Sequence, residues 1–279
     1  MRNFLILLGL LFLINAHAQS YMVLNNGVVL TVDKNGFIYD FSHFIPPYKI
    51  TLNGGQFLAE EEMLVTIDDN GFLYRKDEEQ PKKIAGKGAN YIIAENGEVT
   101  TFDVNGFLYK YEKNKIFRKA ESFGFGGNFF TVKIDEKKPS ELYTINMNGN
   151  YFSINLNGLN PSDITTFGGN FFRTRQGIIY TISKAGFVFD KKNIKTVALK
   201  KIGGNYFIDA NNLIYTISSD GFLIIPSLPA SFNPELISKL GSNYMIDSEG
   251  RIFVVDALGN ILERAVKGHD LRNVRVLSF

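Results

Sequence analysis

A short pattern recurs seven times along this 279-residue chain and constrains its fold more than any other feature. Each copy holds an alternating apolar segment, a polar turn with a glycine, and a second apolar segment, as in Ile214–Ser218 followed by Gly221 and Phe222. A unit this short cannot bury its apolar face alone, so copies must stack on one another. The turn glycines are Gly36, Gly71, Gly106, Gly149, Gly186, Gly221 and Gly259, at intervals of 35, 35, 43, 37, 35 and 38 residues.

Each copy has room for four short strands, named here a to d. Strand a follows a Gly-Gly-Asn signal, as at Asn128–Val132, and a tight turn such as Asn96-Gly97 returns the chain into strand b. Asn-Gly suits this hairpin because both residues tolerate positive φ. A second turn, such as Asn70-Gly71, opens strand c. A lysine-richer segment such as Tyr48–Leu52 follows, and we predict it as strand d on the solvated outer edge, where charge discourages strand pairing.

A four-stranded repeat of this length is typical of a β-propeller blade. We therefore predict an all-β fold, a seven-bladed β-propeller with four-stranded antiparallel blades, occupying residues 19–279 as a single domain. The last residues, Leu277–Phe279, look like a strand d, and Ser20–Tyr21 look like the strand a that should follow it. The chain ends are thus expected to meet in a closed ring. Closure with an exchanged strand and closure without one both fit the sequence.

The segment Asp247–Asp256 reads Asp-Ser-Glu-Gly-Arg-Ile-Phe-Val-Val-Asp. With this pattern in seven copies, the chain resembles the seven-bladed β-propellers, and its repeat is similar to NHL-like and quinoprotein-like blades. The resemblance implies the same stacked blades and covers nearly all of residues 19–279. The chain has no Trp, so it lacks both the Trp-Asp dipeptide of WD40 repeats and the tryptophan that docks quinoprotein blades. No specific family is identified.

The N-terminus has the features of a Sec-type signal peptide. A positive Arg2 precedes the apolar run Phe4–Ile14, and Ala16 and Ala18 provide small residues for cleavage after Ala18, so residues 1–18 would be removed. The alternative, a membrane anchor, needs about 20 apolar residues, which this run does not reach. We expect a periplasmic or secreted monomer with no membrane span after cleavage. The absence of cysteine means that its core must stabilise it without disulfides.

Recurring polar residues offer the candidate sites. The amides after the paired glycines would form a ring at one mouth of the central channel if strand a is innermost. They could satisfy loop backbone groups, or they could form a polar collar that binds a ligand or partner. These residues are Gln56, Asn90, Asn128, Asn170, Asn205 and Asn243.

Two further repeated features are expected to be structural. The threonines of strand b, such as Thr66, should form hydrogen bonds between strands and blades. The Asp-x-Asn-Gly turns, such as Asp68–Gly71, lack the later glutamate of a calcium-binding EF-hand loop, so their aspartates should cap turn amides. No hydrolase or phosphate-binding motif is present, and His43 and His269 are isolated in the sequence. Strand positions favour core packing for the Tyr and Phe residues, although exposed ones would suit stacking on sugars.

The sequence thus predicts an exported, non-catalytic scaffold that binds a protein or a small or glycan ligand at one face or at the channel mouth. The partner would be a protein or glycan of the cell envelope or exterior, with no cofactor. A formal charge of +2 gives no reason to expect nucleic acid. The alternative is a propeller-type hydrolase or lyase that acts on a sugar or lactone with a channel-bound metal. That alternative would require at least three acidic or histidine side chains converging at the channel.

Overall fold

A computed structural model of the protein describes residues 20–41, 49–61, 63–111, 115–195 and 198–278. The predicted signal peptide and His43 lie outside these residues. One short α-helix, α1 (Lys115–Arg118), and two 3-10 helices, Pro161–Asp163 and Leu271–Asn273, fall within the described ranges. The strands are β1 (Ser20–Leu24), β2 (Val29–Val32), β3 (Ile38–Phe41), β4 (Ile50–Asn53), β5 (Phe57–Glu60), β6 (Met63–Ile67), β7 (Leu73–Glu79), β8 (Ile84–Lys87), β9 (Tyr91–Ala94), β10 (Val99–Phe102), β11 (Leu108–Tyr111), β12 (Ser122–Phe125), β13 (Phe129–Lys133), β14 (Glu141–Ile145), β15 (Tyr151–Ile154), β16 (Ile164–Phe167), β17 (Phe171–Thr174), β18 (Ile178–Ile182), β19 (Val188–Lys195), β20 (Leu199–Ile202), β21 (Tyr206–Asp209), β22 (Ile214–Ile217), β23 (Leu223–Ile224), β24 (Ile237–Leu240), β25 (Tyr244–Asp247), β26 (Ile252–Val255), β27 (Ile261–Arg264) and β28 (Val274–Leu277).

These strands form seven antiparallel four-stranded sheets arranged in a ring, which confirms the predicted seven-bladed β-propeller. Blade 1 has the strand order β28-β1-β2-β3, and blades 2 to 7 take the following strands in fours, from β4–β7 to β24–β27. In every blade the order is d-a-b-c. Within the described residues, no helix is long and apolar enough to cross a membrane.

The position of strand d differs in part from the prediction. It lies at a sheet edge, but it pairs with the strand a that follows it, as β4 pairs with β5, so it begins the next blade. Its lysines also bond to neighbouring blades. The ammonium groups of Lys201 and Lys239 donate to the carbonyls of Ile237 and Val274 at 2.5 and 2.6 Å. The lysines of strand d therefore link blades as well as charging an edge.

The ring closes by exchange of a strand. The last strand, β28, pairs antiparallel with β1, with Met22 opposite Leu277 and Val23 opposite Val276. Blade 1 is thus built from both ends of the chain, which meet as expected. The sequence had left open whether a strand is exchanged at the closure, and the structure shows that one is. Because blades begin with strand d, the C-terminal strand completes the first blade.

The core lies between blades, and strands a and b are buried on both faces. A large aromatic residue near the start of every strand a has no exposed surface. In four blades it is a tyrosine whose hydroxyl donates to a carbonyl of the next blade, as Tyr206 does to Tyr244 at 2.7 Å. These aromatic residues are Tyr21, Phe57, Tyr91, Phe129, Phe171, Tyr206 and Tyr244.

The longest interval between turn glycines contains the short helix α1. Its Phe117 is buried against Phe130 and Tyr143, with ring centroids 5.4 and 5.1 Å away. The remaining extra residues form the polar connection between β13 and β14. The insertion therefore enlarges blade 4 without changing its four-stranded sheet.

Candidate functional site

One end of every sheet faces the axis of the ring. The d–a loop and the b–c turn lie at this same end because consecutive strands are antiparallel. One residue from each b–c turn donates its backbone N–H to the carbonyl of its counterpart in the next blade, at 2.7 to 3.3 Å, and the seventh bond returns to the first blade. The residues of this closed circle are Lys34, Asp69, Val104, Met147, Lys184, Ser219 and Ala257.

The threonines of strand b bond between blades, which confirms the structural interpretation of that series. Six of them donate to the carbonyl of the next blade's turn glycine at 2.5 to 2.9 Å, as Thr66 does to Gly106. Blade 7 has Val254 at this position, and Arg264 Nε donates to the Gly36 carbonyl instead, at 2.8 Å. Between blades 7 and 1, an arginine therefore replaces the threonine as the donor.

The aspartates of the b–c turns cap backbone amides, as predicted. Asp68 Oδ1 accepts from the N–H groups of Asn70 and Phe72, both at 2.9 Å. Asp33 and Asp103 make the same pair of bonds in their blades. In the part of the chain that the structure describes, no group of three or more His, Cys, Asp or Glu side chains is placed to hold a metal ion.

The d–a loops bring the predicted amide residues to the axis. Gln56, Asn90, Asn128 and Asn170 line a central cavity of about 70 Å³ together with residues of the b–c turns. Asn205 and Asn243 are fully buried and do not line that cavity, although the adjacent Gly204 and Ser242 do. The structure therefore assembles four of the six predicted amides around one cavity.

The loop backbone does not depend on these side-chain amides. The Asn170 N–H donates to the Gly204 carbonyl at 3.0 Å, and the Asn170 carbonyl accepts from Ile182 at 2.8 Å. Asn128 is bonded in the same way, to Gly169 and Ile145. Several buried side-chain amide atoms in the described loops have no hydrogen-bond partner, namely Gln56 Oε1, Asn90 Oδ1, Asn128 Oδ1, Asn170 Oδ1, both polar atoms of Asn205, and Asn243 Nδ2.

A repeated set of exposed aromatic residues directly before strand c was not expected. The residue after the turn glycine is an exposed phenylalanine in five blades, with 49 to 66 % of its surface exposed. The strand pattern favoured core packing for aromatic residues, and that interpretation is wrong for this position because it directly precedes strand c, an edge strand. The repeated Gly-Phe dipeptide is the signal that marks the set. These residues are Phe37, Phe72, Phe107, Phe187 and Phe222.

In the first three blades the exposed group is a fixed trio. An exposed asparagine precedes the glycine, and an exposed tyrosine follows the phenylalanine by two residues. Each tyrosine hydroxyl donates to the capping aspartate of its own turn at 2.9 to 3.2 Å. Desolvation, followed by the aspartate contact, raises the pKa of the Tyr39 and Tyr109 phenols above the ordinary value. The Asp68 contact, followed by desolvation, raises the pKa of Tyr74. The trios are Asn35, Phe37 and Tyr39; Asn70, Phe72 and Tyr74; and Asn105, Phe107 and Tyr109.

Contacts across blades join these trios into one surface. The Tyr39 ring lies 6.2 Å from the Phe72 ring of the next blade. The Lys76 ammonium lies over both Tyr74 and Phe107, at 5.2 and 5.5 Å from their centroids. We call the surface formed by the three trios the aromatic face. It combines flat apolar rings with amide groups and a cation.

His269 lies between the last strand of blade 7 and β28 of blade 1, and it is less isolated than its sequence position suggested. Its Nε2 lies 2.7 Å from Asp40 Oδ2, so it links the C-terminal segment to strand c of blade 1. A second, open cavity beside it is lined by Leu24, Asn25 and Asp270 among others. This side-chain contact therefore links the segment before β28 to blade 1.

No known protein family matches this chain, and no curated protein matches it. Among solved structures, streptogramin B lyase is 16% identical, with 85% of each chain covered and a TM-score of 0.32. Virginiamycin B lyase from Staphylococcus aureus is 15% identical over 89% of this chain and 95% of its own, with a TM-score of 0.31. The extracellular domain of BT4673 from B. thetaiotaomicron is 15% identical over 90% of this chain and 39% of its own, also at 0.31. Likenesses this low carry no argument, so the assignment as a seven-bladed β-propeller depends on the strand pairing of this chain itself.

Proposed function

We propose that this protein is an exported, non-catalytic β-propeller that binds a glycan of the cell envelope or exterior through its aromatic face. The observation that carries the proposal is the repetition of one exposed Asn-Gly-Phe-x-Tyr group in three consecutive blades. A soluble protein rarely repeats an exposed aromatic group at a fixed position unless the group has a binding role.

The chemistry of each trio suits a sugar ring. The C–H groups of a pyranose carry partial positive charge and stack on the electron-rich face of an aromatic ring. The amides of Asn35, Asn70 and Asn105 offer both donors and acceptors to sugar hydroxyls. The tyrosines are held by Asp33, Asp68 and Asp103, so little side-chain entropy is lost on binding.

The repetition favours a polymer over a folded protein as the partner. Three like contacts at successive blades match a ligand built from repeating units, because each unit offers the same groups to one blade. Several weak contacts in series also raise the overall affinity for a chain over that for a single sugar. No specific observation favours the alternative hydrolase or lyase, because the described residues place no three acidic or histidine side chains together at the channel.

The test is binding of the mature chain, residues 19–279, to insoluble envelope polysaccharides and to soluble oligosaccharides of increasing length. We expect affinity to rise with oligosaccharide length and to fall about tenfold in the double variant Phe72→Ser, Phe107→Ser. Leu213→Ser is the matched control, because Leu213 is an exposed apolar residue in an a–b turn of blade 6. Equal binding by the double variant and the parent, or recovery of proteins alone from envelope extract, would contradict the glycan proposal.

A further inference from the structure

Eight Asn-Gly dipeptides occur in the chain, and this dipeptide is prone to an intramolecular reaction. The glycine nitrogen, once a base has removed its proton, can attack the side-chain carbonyl carbon of the asparagine, and glycine has no side chain that hinders the approach. The reaction therefore requires a glycine N–H that base can reach. The asparagines of the eight dipeptides are Asn26, Asn35, Asn53, Asn70, Asn96, Asn105, Asn148 and Asn157.

Seven of the eight glycine N–H groups are held by hydrogen bonds. Six of these glycines occupy the fourth position of a turn and donate to the carbonyl of its first residue at 2.9 to 3.1 Å, as Gly71 does to Asp68. Gly54 donates to the Phe57 carbonyl at 2.8 Å instead. A bonded amide loses its proton only when the structure opens locally, so these seven sites are protected. The six turn glycines are Gly27, Gly36, Gly71, Gly97, Gly106 and Gly149.

Gly158 differs because it occupies the third position of its turn. The next residue, Leu159, closes that turn by donating to the Leu156 carbonyl at 3.1 Å. Within the part of the chain that the structure describes, the Gly158 N–H and the Asn157 side-chain amide have no hydrogen-bond partner. Both residues are exposed, and no atom lies within 4 Å of the Gly158 Cβ position. Base can therefore reach the nitrogen, and no bond holds the asparagine side chain away from it.

We propose that Asn157 is a site of spontaneous deamidation. The Gly158 nitrogen forms a bond to Asn157 Cγ, the Cγ–Nδ2 bond breaks, and ammonia leaves with a proton in place of the one that the Gly158 nitrogen gives up. Water then opens the resulting cyclic imide at either carbonyl, which yields aspartate or isoaspartate with no oxidation or reduction. The new carboxylate lies in the loop between β15 and β16. This site goes beyond the proposed glycan binding and shares no residue with the aromatic face.

The test is peptide mapping by mass spectrometry of the mature chain, residues 19–279, during incubation at mildly alkaline pH. Chromatography separates the aspartate and isoaspartate peptides. Asn148 is the matched site, because it is also exposed and follows an apolar residue, but its Gly149 N–H donates to the Asn146 carbonyl at 3.0 Å. We expect Asn157 to convert about tenfold faster than Asn148 in the folded chain, since the bond at Gly149 must break first. In concentrated urea both glycine N–H groups are free, and the two rates should approach each other.

Two variants test the assignment through the release of ammonia. Asn157→Gln keeps a side-chain amide but must close a larger ring, so it should remove the fast phase of ammonia release. Asn148→Gln is its control and should leave that phase unchanged. Conversion of Asn157 no faster than that of Asn148 in the folded chain, or an equally large difference in urea, would overturn the proposal, as would a fast phase that persists in Asn157→Gln. None of these readouts involves a glycan, so failure of the glycan proposal is recognised separately.

Discussion

At the scale of single residues, buried tyrosine hydroxyls join neighbouring blades. Tyr206 has no exposed surface, and its hydroxyl donates to the carbonyls of Gly241 and Tyr244 at 3.1 and 2.7 Å. We expect Tyr206→Phe to lower the free energy of unfolding by about 1 to 3 kcal/mol, because two buried carbonyls lose a donor. Urea unfolding measures the change. Tyr74→Phe is the control at an exposed site and should cost less; an equal loss in both variants would contradict this role for the buried hydroxyl.

The same tyrosines predict a loss of stability in alkali. Burial raises the pKa of Tyr21, Tyr91, Tyr206 and Tyr244. Above about pH 10, the unfolded chain releases these protons while the folded chain retains them, so stability falls as pH rises. The slope is at most about 1.4 kcal/mol per pH unit for each tyrosine. Unfolding measured from pH 8 to 11 should show a shallower fall in Tyr206→Phe than in the parent; identical slopes would refute the assignment.

At the scale of elements, the d–a loops pack too closely to admit a side chain. A Cβ on Gly169 would lie 2.4 Å from Gly204 Cα in the next blade. We expect Gly169→Ala to cost about 1 to 3 kcal/mol or to prevent folding, since backbone must move to relieve the contact. Gly158→Ala separates this effect from backbone strain, because Gly158 has a φ of +83° and no atom near its Cβ position. Denaturant unfolding should rank Gly169→Ala as the more damaging change, and the reverse order would contradict the tight loop contact.

The strands also show how far the sequence predicts the fold and the site. Glycine spacing indicated seven blades, and the recurring Thr66 and Asp68 positions indicated the bonds that the structure contains. The pairing of strand d was not predictable, because an edge strand has the same composition whichever neighbour it joins. The exposure of Phe72, which directly precedes strand c, was missed for a related reason, since apolar alternation does not distinguish the start of an edge strand from that of a central one. The contact between His269 and Asp40 depends on ring closure and has no local signal.

At the scale of the whole molecule, the central cavity depends on a closed ring of seven blades. The central cavity is lined by residues of blades 2 to 7. The circle of backbone hydrogen bonds between the b–c turns is closed by the bond from the Ala257 N–H to the Lys34 carbonyl. An open array would leave these bonds unmade at its ends and would not enclose the cavity. Pairing of β28 with β1 is therefore the central structural claim.

An engineered disulfide tests that claim directly, because the chain has no cysteine of its own. Met22 and Leu277 are opposite each other in the β1–β28 pair, so Met22→Cys, Leu277→Cys places two thiols across the seam. Closing a loop of nearly the whole chain should stabilise the fold by up to about 5 kcal/mol, less the lost packing of Met22. Met22→Cys with Thr165→Cys in blade 5 is the control that should not cross-link. Mass spectrometry of the oxidised native protein should find the two introduced cysteines joined by a disulfide within the monomer, with a raised melting temperature; free thiols at both positions would contradict ring closure.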